Sequence, residues 1–232
     1  MSPQTLIRLD TVSKHYVVDG QRIPVLRDVS LSIHEGEFVA VVGPSGNGKS
    51  TLLNLITGID KPSSGAVNVG GKRIDRLSED QLAGWRGKHL GIVFQFFQML
   101  PGLSLLQNVL LPMALAGVIP AAQRRERARA LLAEVGLAEQ AHKLPSMVSG
   151  GQQQRAAIAR ALANDPPVLV ADEPTGNLDA RTAEDVFTLF LKLLDRRRTL
   201  IMVTHNHEMA ARAGRCIDVV NGQIVRDHRN PA

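Results

Sequence analysis

Gly43, Pro44, Ser45, Gly46, Asn47, Gly48, Lys49 and Ser50, with Thr51 behind them, fit the pattern G-x-x-x-x-G-K-[ST]. The chemistry this spacing suits is the binding of a polyphosphate. Glycines let the backbone curl round a β-phosphate without Cβ clashes, and a helix N-terminus supplies unpaired N–H groups. Lys49 is placed to reach the β- and γ-phosphates, and the Ser50 hydroxyl to ligate Mg²⁺. Two carboxylates, Asp172 and Glu173, close a later apolar run. Asp172 there suits Mg²⁺ held through a water, and Glu173 suits the positioning and deprotonation of an attacking water. His205 closes another apolar run. A neutral imidazole beside a γ-phosphate could hold that water, and a structural histidine would sit there equally well. Ser149-Gly150-Gly151-Gln152 joins an N-cap serine to open glycine amides, which serve either an anion or a plain capped helix. Tyr16, the only tyrosine, either packs in a core or offers a flat face for an adenine.

These groups need strands and helices to hold them. Phe38 to Val42 is an apolar, β-branched run, and the pattern predicts a helix from Lys49 to Thr57 stopped by Gly58. Leu6 to Asp10 and Val29 to Ile33 alternate as half-buried strands, separated by a loop with an Asp19-Gly20 turn. Gly70-Gly71 predicts a hairpin between Gly65–Val69 and Lys72–Ile74, and Asn221-Gly222 another, of type I′. Ser78 with Gln81, and Ser104 with Gln107, read as capping boxes. The second opens a helix to about Ala116, and the next helix runs from Pro120 to Val135, where Gly136 stops it. Leu90 to Phe94 reads as a strand ending at Gln95. The Phe/Met/Leu-rich stretch from Phe96 to Leu106 serves either as core or as a groove for a partner's helix. Gly176 to Asp179 turns into a helix of about Arg181 to Arg196.

With 232 residues and 44% apolar content the chain is one large domain, or a domain with an inserted subdomain. The longest apolar stretch, Val109 to Ile119, contains Pro112 and Gly117 and is too short to span a bilayer. The first residues show no signal-peptide pattern, so a soluble, cytoplasmic chain is expected. A single cysteine, Cys216, excludes an internal disulfide and any cysteine-cluster metal site. The net charge of +5 permits anionic partners, but Arg124, Arg125, Arg127, Arg129 and Arg196 to Arg198 lack interleaved aromatics. That is a solvated surface rather than a nucleic-acid footprint.

The order of the motifs carries more than any one of them. Phosphate loop, Gln95, Ser-Gly-Gly-Gln, Asp172-Glu173, Asp179 and His205 follow one another as they do in the ATP-binding-cassette (ABC) ATPases, which the chain resembles from about Leu6 to Arg226. The resemblance implies one ABC domain over residues 1–232: a P-loop α/β core, an N-terminal antiparallel β layer and an inserted α-helical subdomain at about 96–165. It implies ATP and Mg²⁺ as cofactors, Tyr16 stacking on adenine, and Gln95 contacting Mg²⁺ and the attacking water. Val148 stands where the family's signature usually has leucine, and Asn206 where aspartate often follows the switch histidine, here His205. One phosphate loop and one signature imply a head-to-tail homodimer. In it Ser149, Gly150, Gly151, Gln152 and Asp179 act on the partner's ATP. The stretches Leu90–Gln95, Asn108–Pro112 and Ala171–Arg181 look like the lipoprotein-releasing, macrolide-exporting and FtsE-like branch. That branch implies a peripheral subunit on the cytoplasmic face of the inner membrane, working with a few-span permease that has a periplasmic domain. A divisome regulator or a cluster-assembly ATPase is the alternative. A GTPase is excluded by its motifs: no asparagine here is followed by lysine, and no aspartate has glycine three residues on.

Overall fold

The computed structural model describes residues 4–194 and 198–230. In chain order its elements begin with β1 (Thr5–Val18), β2 (Gln21–His34), β3 (Phe38–Val42), α1 (Lys49–Ile56), β4 (Ser64–Val69), β5 (Lys72–Arg73) and α2 (Glu79–His89). They continue with β6 (Leu90–Phe94), α3 (Leu105–Ala116), α4 (Ala121–Glu134), α5 (Gly150–Ala161), β7 (Val168–Asp172) and α6 (Ala180–Leu194). The last are β8 (Thr199–Val203), α7 (His207–Ala211), β9 (Arg215–Val220) and β10 (Gln223–Arg229). The chain divides into two compact units, residues 1–82 with 199–232, and residues 83–198.

In the first unit β3 is the organising strand. It pairs in parallel with β8 on one side and β9 on the other. Both of its faces are covered and all five residues are buried, which is why it reads as a continuous apolar run rather than an alternating one. β10 adds antiparallel to β9, turning at Asn221 (φ 50°) and Gly222 (φ 76°), both left-handed as a type I′ turn requires. The second sheet of this unit is antiparallel, in the order β2-β1-β4-β5. Here the expected loop between two short strands is replaced by strand. β1 and β2 stay paired from Thr5↔His34 to Val18↔Gln21, with register shifts along the way, and turn only at Asp19-Gly20. The outer half shows no alternation because neither face there is buried: Val17, Val18 and Ile23 are all exposed.

In the second unit β6 and β7 are parallel, in a register that pairs Phe94 with Asp172. Their carboxyl ends therefore carry Gln95 and Glu173 side by side. α6 buries Ala183, Val186, Phe187 and Phe190, a 3.6-residue stripe. Its expected end at Arg196 lies outside the described residues. The Ser104 capping box forms: its hydroxyl accepts from the Gln107 amide while Gln107 reaches back to the Ser104 amide. α4 starts one residue later than expected, with Pro120 as its N-cap. Buried Asn108 knits the Pro101-Gly102 loop, donating to the carbonyls of Leu103 and Ser104 at 3.0 Å and accepting from the Leu100 amide at 2.8 Å. Nor are all the arginines a solvated face: Arg127 donates to the Ala163 carbonyl at 2.7 Å, and Arg198 pairs with Asp165. Cys216 is a buried free thiol.

Candidate nucleotide site

The phosphate loop leaves β3 at Gly43, whose φ of 142° suits glycine and whose missing Cβ would overlap the Val219 carbonyl. At Gly48 (φ 96°) a Cβ would lie 2.8 Å from the Val25 carbonyl. These two glycines are thus demanded by the strands packed behind the loop as well as by any ligand in front. Asn47 fastens the loop to the β9–β10 turn, accepting from the Asn221 amide at 2.6 Å, and donates to the Ser45 carbonyl at 3.0 Å. Gly48 caps α1 without a side-chain hydrogen bond, and the first turn carries no acid. The amides at this helix start are thereby left for an anion. Lys49 is 7% exposed, and its ammonium donates to the carbonyls of Gly43 (2.8 Å) and Pro44 (2.9 Å), which aims it across the loop. Ser50 is exposed behind it. Gly43, Pro44 and Ser45 share a 410 Å³ cavity with His205, His207 and Asp218.

The second unit assembles the remaining groups. Glu173 leaves β7 with φ 47°, an uncommon left-handed backbone for this residue type, of the sort held at functional sites. Gln95 lies against the turn that follows: a Cβ on Gly176 would sit 2.8 Å from its amide nitrogen, and the Asn177 amide donates to the Gln95 carbonyl at 3.2 Å. Ser149 caps α5 in a full capping box with Gln152, so its hydroxyl already accepts one α5 amide. Thr182 donates to Asp179 through its amide at 3.1 Å. The Thr182 hydroxyl and then its amide hold the Asp179 carboxyl below its ordinary value.

The chain matches the ABC transporter family model over residues 26–176. It is 46% identical over 94% of its length to an uncharacterized ABC transporter ATP-binding protein of Thermotoga maritima, covering 93% of that protein. The chain belongs to the ABC transporter family. It is an ATPase cassette of that family. Its relatives include the macrolide export ATP-binding/permease protein MacB of Burkholderia pseudomallei, 47% identical over 97% of this chain. The pyoverdine export protein PvdT of Pseudomonas aeruginosa is 46% identical over 98% of it. The chain spans about a third of the length of these two relatives (34%). The ATP-binding cassette MJ0796, solved as a dimer bound to ADP and Pi, superposes with a TM-score of 0.91 at 40% identity, over 98% of this chain and 100% of that one.

Seen as an ABC cassette, the structure adds residues that motif reading passed over. Gln154 in α5 is fully buried and donates to the Pro174 carbonyl at 2.6 Å, next to Glu173. Arg160, at the other end of α5, donates to the carbonyls of Phe97 and Gln98. Burial pulls its guanidinium below the ordinary value. Asn206, left without a role above, N-caps α7 by accepting from the amides of Glu208 and Met209 at 2.9 and 3.1 Å. Asparagine and aspartate cap equally well, which accounts for either residue after His205. A buried glutamine or a capping asparagine carries no periodic signal, and only the spacing of the signature pointed near Gln154.

Proposed function

We propose that this cassette is the ATP-hydrolysing subunit of an exporter-type or lipoprotein-releasing transporter, acting as a head-to-tail homodimer. The observation that carries the reading is the uncapped start of α1 at Gly48, with Lys49 folded over the loop. Phosphates there replace the Gly43 and Pro44 carbonyls as partners of the ammonium. Ser50, Gln95 and Asp172 each carry an oxygen of the hard kind that Mg²⁺ takes. Among the described residues no group of three or more His, Cys, Asp or Glu could hold a metal, so the ion would come with the nucleotide's phosphates. When bound, Mg²⁺ neutralises charge on the β- and γ-oxygens.

In the reaction, Glu173 accepts a proton from water as its oxygen attacks the γ-phosphorus. The bond to the β-γ bridging oxygen breaks, and ADP and phosphate leave. His205 orients the water. Ser149, Gly150, Gly151 and Gln152, with Asp179, close on the ATP held by the partner's loop, and Tyr16 stacks on the adenine. Dividing these contacts between chains makes dimer closure a switch, because positioning supplies most of the catalysis.

The membrane partner is a permease: MacB and PvdT are ATP-binding/permease proteins. No helix among the described residues is long and apolar enough to cross a membrane. The cassette would then lie peripherally on the cytoplasmic face of the membrane. Its docking surface is the segment after Gln95, where Phe96 is 71% and Leu100 44% exposed. A 300 Å³ pocket lined by Phe94, Gln98, Pro112 and Arg160 lies beside it. Glu173→Gln keeps the shape and removes the base. Sizing this variant with and without Mg-ATP should give an ATP-dependent dimer with no turnover, and a persistent monomer in ATP counts against the reading.

A further inference from the structure

Besides Thr51 behind the phosphate loop, Tyr16 has neighbours that the loop does not use. Its hydroxyl donates to Asp60 Oδ2 at 2.8 Å. The Lys14 ammonium lies 4.8 Å from the centre of its ring. That ammonium also donates to Asp60 Oδ1 at 2.6 Å and to the Lys61 carbonyl at 2.8 Å. Asp60 is anchored in turn: its amide donates to the Asn54 carbonyl at 3.1 Å, within α1. The carboxylate therefore ties β1 to the far end of the helix whose start forms the phosphate loop. Lys14 and Asp60 side chains are 11% and 28% exposed, whereas Tyr16 keeps 39% of its surface open. Burial pulls the Asp60 carboxyl up, but the hydrogen bonds from Lys14 and Tyr16 outweigh it and hold it below its ordinary value.

An aromatic side chain on an exposed hairpin must be ordered before a base can stack on it, and that cost is subtracted from affinity. Here the ordering is done in advance. A cation over one face of the ring leaves the opposite face for a planar ligand. We infer that Lys14 and Asp60 are positioning residues for base recognition, locking the Tyr16 ring so that its free face meets the purine of a nucleoside triphosphate. The inference rests on the reading of Tyr16 as the adenine-stacking residue.

The test compares Mg-ATP with magnesium tripolyphosphate, which offers phosphates and no base, as ligands of the full chain by calorimetry. Lys14→Met should weaken ATP binding about three- to tenfold and leave tripolyphosphate within about twofold. Lys14→Arg, which keeps a cation over the ring, should recover most of the loss. Lys14→Met combined with Tyr16→Ala should bind ATP no worse than Tyr16→Ala alone, because the lysine acts through the ring. Equal losses for both ligands, or unchanged ATP affinity in Lys14→Met, overturn the inference. If Lys14→Met does not fold, Asp60→Asn decides in the same way: it keeps an acceptor for the hydroxyl and removes the charge that holds the lysine. Tyr16→Ala binding ATP as the wild type does would remove the stacking reading itself. Weakened Tyr16→Ala beside an unaffected Lys14→Met removes the clamp alone.

Discussion

Gln154→Met separates the positioning of Glu173 from the stability of the fold. Gln154 is fully buried, and its amide nitrogen donates to the Pro174 carbonyl at 2.6 Å and, at a longer 3.4 Å, to the Phe94 carbonyl. Its own carbonyl oxygen is buried with no hydrogen-bond partner among the described residues. Methionine fills a similar volume without either group. Losing the bond to Pro174 and stranding that carbonyl costs roughly 1–3 kcal/mol, while removing an orphaned buried oxygen returns roughly the same. The net change should stay within about 1 kcal/mol, or about 2–4 °C in Tm for a chain of this length. Catalysis has no such compensation. Pro174 follows Glu173 directly, and misplacing a reacting group by about 1 Å costs on the order of 100-fold. The variant should melt near the wild type, bind Mg-ATP as well, and turn over about 10- to 100-fold more slowly. Thermal melting, calorimetry and steady-state ATPase assays read the three quantities. A fall in Tm beyond about 10 °C with matching loss of activity would make Gln154 a stability clamp. Undiminished turnover would show that this contact does not position Glu173.

Lys49→Ala removes the ammonium aimed across the loop and should weaken Mg-ATP binding by at least about tenfold; unchanged affinity contradicts the phosphate-loop assignment. Phe96→Asp, on a side chain 71% exposed, should leave stability within about 0.5 kcal/mol and basal ATPase intact while abolishing stimulation by the permease. Phe97→Asp is the poorer probe, since a Cβ built on Gly150 lies only 3.4 Å from that ring and the residue is half-buried; loss of folding is expected there, read by circular dichroism. Asp75 accepts from Arg73 at 2.6 and 2.8 Å and from the Val67 amide at 3.0 Å. The Arg73 hydrogen bonds, opposed by burial, hold its carboxyl below its ordinary value. A depressed carboxylate contributes stability above its unfolded value and loses it as pH falls through the folded one. Denaturant midpoints should therefore fall more steeply below about pH 4 in the wild type than in Asp75→Asn; identical slopes would refute the assignment.

Elements with at least one buried face could be read from the chain, and stretches exposed on both faces could not. β3, β7 and β8 are buried runs with charged or glycine-rich ends, and the capping boxes at Ser104 and Ser149 announce their helices. The outer halves of β1 and β2 are exposed on both sides, so no periodicity marked them as strand. The candidate site divides in the same way. Glycines, Lys49 and the strand-end acids belong to spaced motifs, whereas Lys14, Asp60, Gln154 and Arg160 act through contacts between residues distant in the chain.

Gly151 shows how far motif and scaffold overlap. A signature glycine invites explanation by a ligand's close approach, yet a Cβ at this position would overlap the Thr182 methyl. Thr182 in turn donates its amide to Asp179. Asp179, the first turn of α6 and the start of α5 are thus one packed piece within a single chain. The groups proposed to reach a partner's nucleotide, Ser149 and Asp179, stand at its two ends. A shift in either is carried to the other through Gly151 and Thr182, where interior packing leaves no slack. Joint movement of the two segments follows from that contact, and a larger residue at 151 should disturb Asp179 as surely as it disturbs the signature.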